Sequence, residues 1–154
     1  MQRKLYNLSH NDRKTKEEIR GIVGKPFGFV ANLKMGGSGS PRLRYQSGHD
    51  GLDQLKKRFS AAERVNLQVL PKGLILRLNV NTSVYGLVFN KLEVEELRLE
   101  TLYKTPDDLD VQVEGQWWLK TITEEHYHFF ATKEEWKRVQ HFFTKAWLPD
   151  LVRA

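Results

Sequence analysis

The hydrophobic period of the chain changes near residue 132, and this change constrains the fold more than any other feature. Between residues 64 and 131, apolar and polar side chains alternate in short runs separated by turn-forming residues, which is typical of half-buried β-strands. From residue 132 onward, apolar residues recur at the three- and four-residue spacing of an amphipathic helix. The sequence therefore predicts an α+β protein in which a run of strands is closed by one C-terminal helix.

Six strands fit into the alternating region. Their predicted bounds are residues 65–69, 74–80, 84–89, 94–103, 111–119 and 126–131. The turn at residues 71–73 (Pro-Lys-Gly) joins the first two strands, so residues 64–80 are predicted to form a hairpin. Because no helical pattern separates the strands, we expect an antiparallel meander or a partly open barrel.

The C-terminal helix has the clearest local signals in the chain. Thr132 and Glu135 have the spacing of a capping box, and Pro149 is expected to end the helix. The apolar residues fall within a stripe of about 100° around the helix axis, and they are Trp136, Val139, Phe143, Ala146 and Trp147. We expect this stripe to pack on the sheet that precedes it.

The first 62 residues are predicted to form a separate basic extension, packed on or tethered to a domain of residues 63–154. A short helix is expected over residues 14–23, with Asn11 or Asp12 as its cap. A second helix, capped by Asp50, is expected from residue 52 to about residue 63. Between them, the Gly/Ser-rich residues 36–40 predict a flexible loop.

Composition narrows the function classes. The chain has no cysteine, which excludes disulfides, thiolate metal ligands and a cysteine nucleophile. We find neither a signal-peptide pattern nor an apolar run near the ~18 residues of a membrane span, so a cytoplasmic protein without a transmembrane segment is expected. No residue pattern indicates a catalytic set or a bound cofactor.

The positive charge is concentrated in the N-terminal part. The net charge is +6 overall, but residues 1–60 hold 13 Lys/Arg against 5 Asp/Glu, and residues 61–154 hold 12 against 14. Such a segment can attract nucleic acid or acidic lipid, or can serve only to keep an exposed segment soluble. The candidate anion-binding residues here are Arg42, Arg44, Lys56, Lys57 and Arg58.

Two stretches resemble the pleckstrin-homology-like superfold. Residues 127–139 (YHFFATKEEWKRV) look like its last strand, capping residue, paired glutamates and helix tryptophan, and residues 72–100 are similar in rhythm to the middle strands of bacterial members. The resemblance covers about residues 63–148. It implies seven strands, so a further strand is expected from residues 27–33 or 42–45.

The resemblance also implies binding rather than catalysis, with phosphoinositides, peptides or proteins as common ligands. Members that bind phosphoinositides carry a basic cluster on the first hairpin, where this chain offers Lys72 and Arg77. We therefore predict a non-enzymatic interaction module, with a protein partner as the first hypothesis. Nucleic acid or acidic lipid is the alternative partner.

Three histidines support a third hypothesis, a metal-dependent enzyme. His126 and His128 are two residues apart on a predicted strand, so their rings are expected on one face. Two imidazoles at that spacing can share a zinc ion, and His141 could complete the site. The competing interpretation places these histidines on the solvent face of the sheet, with no metal.

Overall fold

The computed structural model describes residues 3–9, 12–58, 64–80, 82–107, 109 and 112–153. These residues form an α+β structure with four α-helices, namely α1 (Arg13–Val23), α2 (Phe29–Met35), α3 (Asp50–Arg58) and α4 (Lys133–Phe142). The described strands are β1 (Tyr6–Asn7), β2 (Leu43–Ser47), β3 (Arg64–Leu70), β4 (Gly73–Val80), β5 (Ser83–Asn90), β6 (Val94–Thr101), β7 (Val113–Thr121), β8 (His126–Thr132) and β9 (Val152–Arg153).

The nine described strands form one open sheet in the order β1-β5-β4-β3-β2-β8-β7-β6-β9. Only the β6–β9 pair is parallel among these strands. The six strands predicted from the alternation are confirmed as β3 to β8, each within two residues of its predicted ends. The β3–β4 hairpin is also confirmed, with Leu70 paired to Gly73 at the turn.

The predicted count of six to seven strands is wrong, and so is the single meander. Strands β3–β5 form one three-stranded meander and strands β6–β8 form another. Strand β2 lies between the two meanders and pairs with both β3 and β8. The prediction of a further strand at residues 42–45 is confirmed by β2, whereas most of the other candidate segment, residues 27–33, belongs to α2, which begins at Phe29. The edge strands β1 and β9 have two residues each, too few to show an alternating pattern.

The inner face of the sheet holds the main core. Alternate residues of β2 to β8 point into it, and helices α3 and α4 add Leu52 and Trp136. Trp117 stacks on Phe129 with ring centroids 4.0 Å apart. Because β2 contributes Leu43 and other core residues from before residue 62, the N-terminal segment shares this core with the rest of the chain.

A second apolar cluster lies on the outer face, the side of the sheet opposite the main core. Helix α1 covers this side of β4 and β5, with Val23 buried against Ile75 and Val88. Helix α1 is confirmed as predicted, and its cap is Asp12, whose carboxylate accepts a hydrogen bond from the Lys14 N–H at 3.0 Å. Gly24, at φ 85°, ends the helix in a conformation that glycine adopts without strain.

Helix α3 begins earlier in the chain than predicted. Asp50 lies inside the helix, so its prediction as the cap is wrong. The buried His49 takes that role, because its Nδ1 accepts hydrogen bonds from the N–H groups of Gly51 (3.1 Å) and Leu52 (3.4 Å). The predicted end of this helix near Glu63 lies outside the described residues.

Helix α4 is shorter than predicted. It ends at Phe142 rather than at Pro149, and the Thr132 side chain makes no capping hydrogen bond, so the predicted capping box is wrong. The chain turns back after the helix, and the Trp147 indole N–H donates to the Leu70 carbonyl at 2.7 Å. Trp147 therefore packs on the sheet from the segment that follows α4, and not from the helix itself. Helical spacing in the sequence cannot predict this position.

Candidate functional site

The predicted anion-binding residues lie in three separate places. Arg42, Arg44 and the cations of α3 lie around β2, where the Lys56 ammonium donates to the Gln46 carbonyl at 3.1 Å. Lys72 lies in the β3–β4 turn and contacts α1 through its backbone N–H, which donates to the Val23 carbonyl. Arg77 lies on the outer face of β4 beside α1. The seven predicted cations are thus distributed over the surface rather than gathered in one cluster.

The predicted metal-ligating histidines are also separated. His126 and His128 share the outer face of β8, but His128 stacks on Trp118 with centroids 4.8 Å apart and an interplanar angle of 4°. His128 Nε2 is 2.9 Å from Gln116 Oε1. Burial, together with the charge of Lys56, lowers the pKa of His128. His141 lies on α4, facing another part of the surface.

Within the described ranges, no three His, Asp or Glu side chains lie together in a geometry that could hold a metal ion. A group of charged side chains around Arg3 has a different arrangement. Arg3 donates to Glu93 Oε1 at 2.9 Å and to Glu125 Oε1 at 2.7 Å, and also to the Val88 carbonyl. Its guanidinium lies 4.3 Å from the centroid of the Phe89 ring.

This network, which we call the Arg3 cluster (Arg3, Glu93, Glu125 and Tyr127), holds the Glu125 carboxylate in the ionised state. Burial opposes ionisation of Glu125, but hydrogen bonds from Arg3 and Tyr127 outweigh it and lower its pKa to about 2. Burial and the hydrogen bond to Glu125 raise the pKa of Tyr127. A carboxylate so firmly ionised is a poor proton donor at neutral pH, and the cluster instead ties the N-terminal segment to the sheet.

A cationic cleft lies between α4 and the Gly/Ser loop. It has a volume of about 460 Å³, and its charged or ionisable lining residues are Lys137, Arg138, His141 and Lys145, with no Asp or Glu among its described lining residues. The Lys145 ammonium donates to the carbonyl of Gly37 at 2.8 Å, and burial lowers its pKa. Sequence reasoning missed this cleft because its two walls are about one hundred residues apart.

Helix α2 projects beside this cleft with its apolar side chains in solvent. Phe29, Val30 and Leu33 are 83%, 62% and 70% exposed, and none of the seven residues of α2 is buried. The segment after the helix is held firmly, because Gly39 bridges Gln68 and the Ser40 hydroxyl accepts from the Leu67 N–H at 2.8 Å. The loop predicted to be flexible thus fixes α2 at the edge of the cleft.

Comparison with protein-family models and with curated proteins found no match for this chain. Among the described residues, no helix is long and apolar enough to cross a membrane.

Proposed function

We propose that the protein is a non-enzymatic binding module of the pleckstrin-homology-like type that attaches to anionic lipid surfaces through α2 and the cationic cleft. The observation that carries this proposal is the solvent-exposed apolar side of α2 next to a cleft whose described lining residues include cations but no carboxylate. Acid–base catalysis by the Arg3 cluster has no comparable support, because its Glu125 stays ionised at neutral pH and is a poor proton donor.

The connectivity supports the fold part of the proposal. Strands β2 to β5 follow one another across half of the sheet, strands β6 to β8 follow in the other half, and α4 comes directly after the last of them. Seven strands followed by one C-terminal helix is the order that the resemblance implies. Strands β1 and β9 and helices α1 to α3 are additions to that plan.

Helix α2 requires an explanation because an isolated helix of seven residues is unstable in water. Burial of an amphipathic face normally stabilises such a helix, but Phe29, Val30 and Leu33 face solvent. Transfer of each such side chain from water into an apolar phase is favourable by about 1.5–3 kcal/mol when burial is complete. The outer acyl region of a bilayer provides that phase for a shallowly inserted helix.

The surrounding charge selects the kind of surface. Lys34 lies on α2 itself, and the cations of the cleft lie beside the loop that follows the helix. Each Lys or Arg held near an anionic leaflet contributes about 1 kcal/mol of attraction. Insertion of apolar side chains and attraction of several cations are each weak, but together they can hold the protein on the membrane. A neutral lipid surface supplies only the first of them.

Vesicle co-sedimentation tests the proposal. We expect the protein to bind vesicles with about one third phosphatidylserine and to bind phosphatidylcholine vesicles far more weakly, with affinity falling as salt rises. The double variant Phe29→Ser/Leu33→Ser should lose about tenfold or more in affinity. Leu92→Ser is the matched control, since Leu92 is 80% exposed but lies elsewhere on the surface, and it should bind as the wild type does.

A charge variant completes the test. Lys137→Gln/Arg138→Gln should weaken binding and reduce its salt dependence, whereas Lys104→Gln, an 84% exposed control, should not. Absence of binding to anionic vesicles at low ionic strength overturns the proposal. Binding that is unchanged in the α2 variant also overturns it. Binding of heparin or nucleic acid in place of vesicles would favour the nucleic-acid alternative, and an α2-dependent protein complex without lipid binding would favour the protein-partner hypothesis.

A further inference from the structure

A groove lies between α1 and the outer face of β3, β4 and β5, and none of its described lining residues belongs to α2 or to the lining of the cationic cleft. Its volume is about 330 Å³, at the small end of the ~300–1,000 Å³ range of ligand pockets. Apolar side chains form most of its walls, chiefly Leu8, Ile19, Val23, Leu70, Ile75 and Val84. Leu70 and Ile75 are only 3% and 4% exposed, so the floor is continuous with the second apolar cluster.

Arg77 contributes a positive charge to this apolar groove. Its guanidinium donates through Nη1 to the side-chain carbonyl of Gln68, a neutral group that also lines the groove. Among the described residues, no carboxylate lies within ion-pair distance of Arg77, and burial lowers the pKa of its guanidinium. The charge of Arg77 is therefore partly removed from water with only a neutral hydrogen-bond partner.

The rim of the groove has the same sign of charge. Lys16 and Arg20 of α1 line it, and no Asp or Glu is found among the described lining residues. A cation that is partly desolvated beside a neutral partner is stabilised by any anion that reaches it. Guanidinium groups bind carboxylates with two parallel hydrogen bonds, which an ammonium group cannot do.

We propose that this groove binds a small amphiphilic carboxylate, such as a medium-chain fatty acid, with its carboxylate on Arg77 and its acyl chain along the apolar side of α1. The acyl chain would cover the walls formed by Ile19 and Val84 and remove them from water, and each methylene group buried there would add to the affinity. Lys16 and Arg20 would strengthen the attraction at the entrance. The proposal is independent of the membrane attachment proposed above.

Binding of decanoate and of decanol, followed by two-dimensional NMR of the labelled full chain, tests the site. We expect decanoate to shift the amide signals of Ile19, Leu70 and Ile75, and to bind about tenfold or more tightly than decanol, since a charge-assisted hydrogen bond distinguishes the two ligands. If decanoate and decanol bind with equal affinity, or if the shifted amide signals belong to residues outside the groove, the proposal is overturned by the wild-type protein alone.

Two substitutions sharpen the result. Arg77→Met removes the guanidinium but keeps an unbranched side chain, and it should reduce decanoate affinity to that of decanol. Arg98→Met removes an exposed strand arginine and should leave decanoate affinity unchanged. Arg77→Met is expected to fold, because it replaces a partly desolvated charge with an apolar side chain. Unaltered decanoate binding in Arg77→Met overturns the proposal. The α2 double variant should bind decanoate normally, which separates this site from membrane attachment.

Discussion

Replacement of Glu125 by glutamine tests how the Arg3 cluster stabilises the protein. The Glu125 carboxylate accepts from Arg3 at 2.7 Å and 3.1 Å, and from the hydroxyls of Thr121 at 3.3 Å and Thr123 at 3.1 Å. The substituted glutamine would keep the shape of the side chain but not its charge, and its amide nitrogen cannot accept a hydrogen bond. Arg3 would then retain Glu93 as its only carboxylate partner within the cluster.

The size of the effect follows from the pKa of Glu125. Its fall from the ordinary value of 4.5 to about 2 corresponds to about 3 kcal/mol of folding free energy. Because the side chain is 21% exposed, solvent screens part of this interaction, and we expect a loss of about 2 kcal/mol at neutral pH. For a chain of this size, such a loss lowers Tm by roughly 4–8 °C.

The pH dependence has a definite sign. A carboxylate whose pKa is lower in the folded state contributes its full stabilisation above the unfolded value of 4.5 and loses it as pH falls towards about 2. The difference in the free energy of unfolding between the wild type and Glu125→Gln should therefore be constant at neutral pH and shrink steadily below pH 4.5. Urea denaturation followed by tryptophan fluorescence at a series of pH values measures this difference.

Glu124→Gln is the matched control. Glu124 is the neighbouring residue, it is 73% exposed, and its carboxylate oxygen Oε2 lies 3.9 Å from both Lys120 Nζ and His126 Nε2. Exposed ion pairs contribute little, so this variant should stay within about 0.5 kcal/mol of the wild type. Our reasoning is refuted if both variants lose the same stability at neutral pH, or if the loss in Glu125→Gln does not diminish in acid.

Two further predictions concern packing and titration. Gly115→Ala should destabilise the protein by about 2 kcal/mol or more in urea denaturation, because its new Cβ would overlap the Trp136 indole. The control Gly28→Ala, with no atom near its Cβ position, should have little effect. Equal losses of stability in the two variants would contradict the close approach of α4 to β7. NMR titration of the histidine rings should give a midpoint for His128 below the ordinary histidine pKa of 6.5, because the ring is partly buried. A midpoint at or above 6.5 would contradict the stacked, half-buried position of His128 beside Trp118.

The sequence by itself predicts the elements whose signals are local. The alternation of apolar and polar residues locates β3 to β8 to within two residues. This works because successive side chains of a half-buried strand face the core and the solvent in turn. Asp12 and Gly24 likewise bound α1 through contacts within one turn. The helix after β8 is predicted for the same reason, although its cap and its end are not.

Only the tertiary structure determines which distant segments meet. It places β2 between β3 and β8, brings Lys145 to the carbonyl of Gly37, and sets Arg77 beneath α1. A one-dimensional pattern shows which side chains prefer burial but not the strand order that unites them. The cationic cleft and the groove beside α1 both depend on this arrangement, since each forms where segments far apart in sequence pack together.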